Sequence, residues 1–172
     1  YKRPNLILKN IERLTEICSN KVQFIFAGYA HPNNTEGKKI IKELNQATEL
    51  FGEKINFVYL ENYSMWLGSK LVSGADIWLN NPIRPLEACG TSGMKAAMNG
   101  GLNLSISDGW WDEEARDGDN GWIIGDKNIN SSDEQDAEFI YDKLENEIIP
   151  LWENDRAGWV NMMKNSIATS SL

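Results

Sequence analysis

Apolar residues recur along the chain in two alternating rhythms, one helical and one extended. Over residues 4–19, Leu6, Ile7, Ile11, Leu14 and Ile17 fall on one side of a 3.6-residue period, which predicts an amphipathic helix. Pro4 suits its first turn, where a missing N–H leaves no bond unmade. The run at 22–27 is short, β-branched and aromatic and stops at Gly28, so it predicts a buried strand. Thr35 opens a second helix with Ile40, Ile41, Leu44, Ala47 and Leu50 on its core face, ended at Gly52. The same alternation continues with strands over 55–60, 76–80 and 102–106 and a short one over 121–125. Helices are expected over 65–72, 92–98, 133–152 and 156–167, with 128–136 as a polar linker. No internal repeat is visible.

Strands separated by helices pair in parallel through right-handed crossovers. The expected fold is therefore α/β, a doubly wound, mainly parallel Rossmann-like sheet in one domain over 1–172. Such sheets bind ligands outside the carboxyl ends of their strands. That rule nominates the loops 28–31, 61–64, 81–92 and 107–112 before any chemistry is considered.

Composition narrows the classes. With 17 Lys and Arg against 25 Asp and Glu, the net charge is −8, which argues against nucleic acid and anionic membranes as partners. No run approaches the roughly 18 apolar residues of a membrane span. No signal peptide is legible, so a cytoplasmic, reducing compartment is expected. Cys18, Cys89 and the single histidine, His31, build no metal cluster, and His31 before Pro32 reads as a turn residue. Asn33, Asn62, Asn103 and Asn130 begin N-x-[ST] triplets that, without a secretory signal, read as chance matches. The acidic stretch 112–119 reads as a solvated loop. Tyr1 is no start residue and the last residues trail off in polar side chains, so a piece of a longer protein is expected, truncated at both ends.

The loop 81–92 is the most informative. Gly90, Thr91, Ser92 and Gly93 stand where a loop becomes a helix, and exposed N–H groups there bind anions such as phosphate. Lys95 follows one turn later, as a point-charge clamp or an amine nucleophile. On spacing alone, a capped helix with a surface lysine explains the pattern equally well.

The run from Glu87 through Cys89 to Lys95, followed by Asn99-Gly100, strongly resembles the pyridoxal-phosphate signature of the α-glucan (glycogen, starch, maltodextrin) phosphorylases. Tyr1-Lys2-Arg3 resembles the end of that family's phosphate-site motif, and 26–32 its Gly-Lys-Ala-x-Pro loop. Leu60-Glu61-Asn62-Tyr63 and Asp108-Gly109 match two further loops, and the compact loops resemble bacterial and archaeal members. The resemblance implies the carboxyl-terminal half of a two-domain glycosyltransferase (GT-B) architecture. It implies pyridoxal 5′-phosphate bonded as an imine to Lys95, with Thr91, Ser92 and Gly93 on its phosphate and Tyr63 against it. Glu87, Cys89 and Gly90 would contact the glucosyl unit, and Lys2 would face the substrate phosphate. The implied reaction takes α-1,4-glucan and inorganic phosphate to glucose 1-phosphate, with the cofactor acting through its phosphate. The implied partner is an amino-terminal half that forms the opposite wall of the cleft. Without it, these residues alone are expected to be inactive and even cofactor retention is open.

The sequence also departs from the family pattern. Cys89 stands where Ser is usual, Tyr29 replaces a Lys, and Ser64 stands where many members have Arg. Sugar-nucleotide glycosyltransferases of the glycogen or starch synthase type share this loop but carry Glu eight positions after the first Glu; here that position is Lys95. A non-catalytic carbohydrate-binding module is the rival of another class. Trp66, Trp78, Trp152 and Trp159 are expected in the core, whereas Trp110 and Trp111 divide evenly between core and sugar stacking.

Overall fold

The first apolar stretch does not form one helix. In the computed structural model, which describes residues 1–126 and 131–170, a 3₁₀ turn at Leu6–Leu8 precedes α1 (Ile11–Cys18). Asn10 makes the break: its φ of −136° is not helical, and its side-chain oxygen accepts the Arg13 N–H at 3.0 Å. Tyr141, fully buried, donates its hydroxyl to Ile7 O at 2.9 Å and accepts the Asn10 N–H at 2.8 Å. The start of the chain is thereby fixed to a helix more than a hundred residues away.

The remaining elements follow the expected alternation. They are β1 (Gln23–Ala27), α2 (Thr35–Phe51), β2 (Asn56–Leu60), α3 (Met65–Gly74), β3 (Ile77–Asn80), α4 (Thr91–Met98) and β4 (Leu102–Ile106). Asn34, not Thr35, caps α2, accepting the Gly37 N–H at 2.9 Å. A short helix that the pattern does not predict, α5 (Trp110–Glu114), follows β4 and leads to β5 (Gly121–Ile124). The expected helix over 133–152 divides into α6 (Asp133–Lys143), a π-turn at Leu144–Ile148 and α7 (Ile149–Asn154), with α8 (Arg156–Ser170) last. The expected linker is corrected in its second half: Ser132 forms a capping box with Gln135, so 133–136 is the first turn of α6. Its residues 128–130, Asn130 included, lie outside the described residues.

All strand pairs are parallel, as the crossovers require. β1 pairs with β2, and β3, β4 and β5 form a second ladder in that order. The ladders share one core, where Phe24, Phe26 and Phe57 from the first join Leu79, Leu104 and Ile106 from the second. β4 is buried at every position, as the middle strand of its ladder must be.

Of the four tryptophans expected in the core one is buried there, and Trp78 on β3 is only half-buried. Trp159 is buried, but Trp66 is 71% and Trp152 42% exposed. Periodicity marks an apolar face without saying whether anything covers it, and α3, which carries Trp66, has no buried residue. Trp152 instead meets the edge of Trp159 and lies under the Arg156 guanidinium, 4.4 Å away. Trp110 and Trp111 are both buried and pack on Ala97. Among the described residues no helix is long and apolar enough to cross a membrane.

Candidate functional site

The amino terminus of α4 is built to stay open. Its N-cap is Gly90, whose φ of 87° is left-handed and whose lack of a side chain leaves no cap hydrogen bond. A Cβ at Gly90 would stand 2.9 Å from Glu87 Oε1 and 3.3 Å from Trp110 Cδ1, so glycine also lets the turn close on its neighbours. Gly93 serves packing too. A Cβ there would lie 2.5 Å from Asn103 Oδ1, and Asn103 Nδ2 donates to Gly93 O at 3.1 Å. The Gly93 N–H itself turns back to Gly90 O at 3.1 Å, which leaves Thr91 and Ser92 as the donors at the helix mouth.

The loop ahead of this mouth is held from behind. Asp108 accepts the Glu87 N–H at 2.9 Å and the Gly109 N–H at 3.0 Å. The Trp110 N–H donates to Cys89 O at 2.9 Å. Gly109, at φ 57°, passes so close that a Cβ would stand 2.4 Å from Cys89 O.

Glu87 is the buried acid of the site. Its side chain is 3% exposed, and Lys2 Nζ bonds Oε1 while also donating to Asn80 Oδ1 at 3.1 Å. Glu87 Oε2 is buried and meets no hydrogen-bond partner among the described residues. Such an atom carries a cost of about 1–3 kcal/mol until a donor reaches it. Tyr1 joins the group: partial burial, then the neighbouring carboxylates of Glu87 and Asp108, raise its phenol above the ordinary range.

These residues converge. Tyr1, Lys2 and the run from Glu87 to Ser92 line one open depression of about 290 Å³. Lys2, Glu87, Cys89, Gly90, Thr91 and Ser92 are thus neighbours, although 85 positions separate Lys2 from Glu87. Lys95 lies four residues after Thr91 on the same face of α4 and is exposed.

Tyr63 belongs to a different group. It does not line the depression; its ring pairs with Tyr29 at 6.5 Å and its hydroxyl covers Gly68 on α3. His31 takes the turn role, its Nδ1 accepting the Asn33 N–H at 3.2 Å. Arg3, Asn80 and the carboxylate of Asp108 are structural participants that spacing alone did not single out. Most of their partners lie on other elements, so spacing does not show these contacts, although the family resemblance already covers Arg3 and Asp108.

A family model described as carbohydrate phosphorylase matches residues 1–146. The chain is 52% identical over 178 residues to a glycogen phosphorylase of Aquifex aeolicus, covering 97% of this chain and 25% of that protein. It is 47% identical over 174 residues to a maltodextrin phosphorylase of Thermococcus litoralis, covering 97% of this chain and 21% of that protein. It is 42% identical over 181 residues to a glycogen phosphorylase of Mycobacterium tuberculosis, covering 98% of this chain and 21% of that protein. The chain therefore spans about a fifth to a quarter of the length of these relatives.

Proposed function

The chain belongs to the carbohydrate phosphorylase family, and we propose that it carries the cofactor-holding part of an α-glucan phosphorylase. The proposed reaction is the phosphorolysis of α-1,4-glucan to glucose 1-phosphate. One observation carries the reading: the depression that joins Lys2, the half-satisfied Glu87 and the uncapped mouth of α4. The three features suit three parts of the reaction.

An anion at the helix mouth receives the Thr91 and Ser92 N–H groups and hydroxyls, and the α4 dipole favours its negative charge. The mouth fits the 5′-phosphate of pyridoxal phosphate, which Thr91 and Ser92 would hold, and Lys95, one turn along, would tether the cofactor. Gly93 contributes by packing close enough to Asn103 to hold the mouth in place. Glu87 Oε2 would accept a hydrogen bond from a hydroxyl of the glucosyl unit, a donor that ends its unpaired state. Gly90 and Cys89 form the adjoining backbone, and Lys2 offers a positive charge to the phosphate that attacks. When bound, the cofactor supplies a phosphate group that exchanges a proton with the substrate phosphate. The protein's share is placement and electrostatics.

Lys95 is exposed here, so a cofactor held by these residues alone lies open to solvent on one side. The amino-terminal half implied by the family supplies the missing cover, in a cytoplasmic enzyme. The test is borohydride reduction and peptide mapping of the complete polypeptide after loading with pyridoxal phosphate. The pyridoxyl group is expected on Lys95 and absent from Lys95→Ala and Lys95→Arg. A label on Lys38, Lys39 or Lys70 instead, or no label at all, overturns the assignment.

A further inference from the structure

Lys2 is flanked by two residues that are both sewn to the exit of β3. Tyr1 O accepts the Ile83 N–H at 2.9 Å, and Arg3 O accepts Asn81 Nδ2 at 2.5 Å. The Arg3 guanidinium, 10% exposed, spends its donors on protein: Nε on Asn81 O at 3.0 Å, and Nη2 on Pro82 O at 2.8 Å. It also bridges to α6, with Nη1 2.7 Å from Asp133 Oδ1 and Nη2 2.8 Å from Asp136 Oδ2. Asp136 is itself buried, its side chain 4% exposed, and holds the Ser131 hydroxyl as well.

We propose that Arg3 is a positioning residue, which fixes the backbone around Lys2 so that the Lys2 amine stands between Asn80 and Glu87. The inference rests on the function proposed above and adds a residue to it. Two independent observations carry it. The first is saturation: a guanidinium bonded to two carbonyls and two carboxylates has little left for a ligand, so Arg3 acts through the chain rather than on substrate. The second is strain. Arg3 has a left-handed φ of 46°, which a non-glycine residue keeps only where its surroundings over-determine it. That backbone turn points Lys2 back toward β3 while the chain continues into the 3₁₀ turn.

Arg3 thus joins two regions with no local relation, the exit of β3 and the first turn of α6. A lysine at position 3 keeps one positive charge but cannot fork to two carbonyls and two carboxylates. The loss is therefore of geometry, and it is felt at the phosphate end of the site.

The experiment compares the complete enzyme, loaded with cofactor, with Arg3→Lys, Arg3→Met and Asp136→Asn, each also in a Lys2→Met background. Asp136→Asn leaves Arg3 and every residue of the depression in place, so it reports the anchor even where Arg3→Met folds poorly. The expected result is a rise of about tenfold or more in KM for phosphate in the Arg3 variants, with a smaller rise in Asp136→Asn. KM for glucan and the trappable cofactor per chain should stay within about twofold. In the Lys2→Met background the same changes should add less than about twofold, because the residue they position is gone. A purely structural role predicts loss of folded enzyme with unchanged KM for phosphate, and that result overturns the proposal. So does an Arg3 effect that multiplies undiminished with Lys2→Met. If the unsubstituted enzyme releases no glucose 1-phosphate with phosphate present, the proposed function fails and this inference fails with it. A phosphate-dependent parent with indifferent Arg3 variants fails the inference alone.

Discussion

The two ladders end in loops of opposite character. At the carboxyl end of β3 and β4, the loops 81–92 and 107–112 are bound to each other by Asp108, Gly109 and Trp110 and to the chain start by Lys2 and Arg3. At the carboxyl end of β1 and β2, Tyr29 is 81% exposed, Tyr63 43%, Met65 94% and Trp66 71%. There the ties are fewer: the Tyr29–Tyr63 ring contact and the Tyr59 hydroxyl donating to Gly28 O at 2.7 Å. Both regions were nominated by one topological rule, yet only the first is organised by its own contacts. A pre-organised loop holds charge where a reaction needs it. An apolar surface left bare, by contrast, is open for a partner to cover.

The comparison breaks most readily at tryptophan. Trp111 is 1% exposed and its indole N–H donates to Trp122 O at 3.2 Å, so Trp111→Ala leaves both a cavity and an unpaired carbonyl. We expect it to cost about 3–5 kcal/mol. Trp66→Ala, on the bare surface, should stay within about 0.5 kcal/mol. Urea unfolding of the chain measures both. Similar losses would mean that the β1–β2 region is packed as firmly as the other.

Glycine sharpens the same contrast with a smaller effect. Gly109 has a left-handed φ of 57° and a would-be Cβ 2.4 Å from Cys89 O, a backbone atom that cannot swing away. Gly109→Ala combines overpacking with backbone strain, and about 2–4 kcal/mol is expected. Gly28, at the end of β1, has nothing within 4 Å of its would-be Cβ. Gly28→Ala should be neutral, or stabilising by up to about 1 kcal/mol through the unfolded state. A loss at Gly28 comparable to that at Gly109 would show the first loop to be as constrained as the second.

Much of the fold was legible because it is local. The bounds of β4 follow from a short apolar run and those of α2 from an apolar face closed by Gly52, and the strand–helix alternation fixes parallel pairing. The site was legible in part for the same reason: Gly90 to Lys95 lie within two helical turns, where spacing carries meaning. Arg3 was legible as part of the Tyr1-Lys2-Arg3 match but its anchoring contacts were not, because its carboxylate partners sit 130 and 133 positions away and no periodicity links them. α5 was missed because five residues, Trp-Trp-Asp-Glu-Glu, are too few to display a helical period. The break at Asn10 was missed because its cap lies inside an apolar run that continues on both sides. Trp66 misled for the opposite reason, since an apolar stripe does not announce whether its partner is present.

The two cysteines give the finest comparison, one in each half. Cys89 is exposed on the site loop, whereas Cys18 is buried at the end of α1 in the core that the two ladders share. A thiol reagent at mild pH should therefore titrate Cys89 alone in the folded chain and Cys18 only after unfolding. Burial pushes the Cys18 thiol from an ordinary 9.0 up to about 12. The sign follows from linkage. Below pH 9 the thiol is neutral in both states and its contribution to stability is complete. Between 9 and 12 the unfolded chain sheds this proton and the folded chain keeps it, so stability falls as pH rises. The slope from one such group reaches at most about 1.4 kcal/mol per pH unit. Lysines and tyrosines titrate in the same range, so the measurement is the difference between the parent and Cys18→Ala in urea midpoints at pH 8 and pH 10.5. The parent should lose more stability than Cys18→Ala over that interval. Parallel alkaline limbs would mean that Cys18 reaches solvent in the folded chain, and that the core around α1 opens to water.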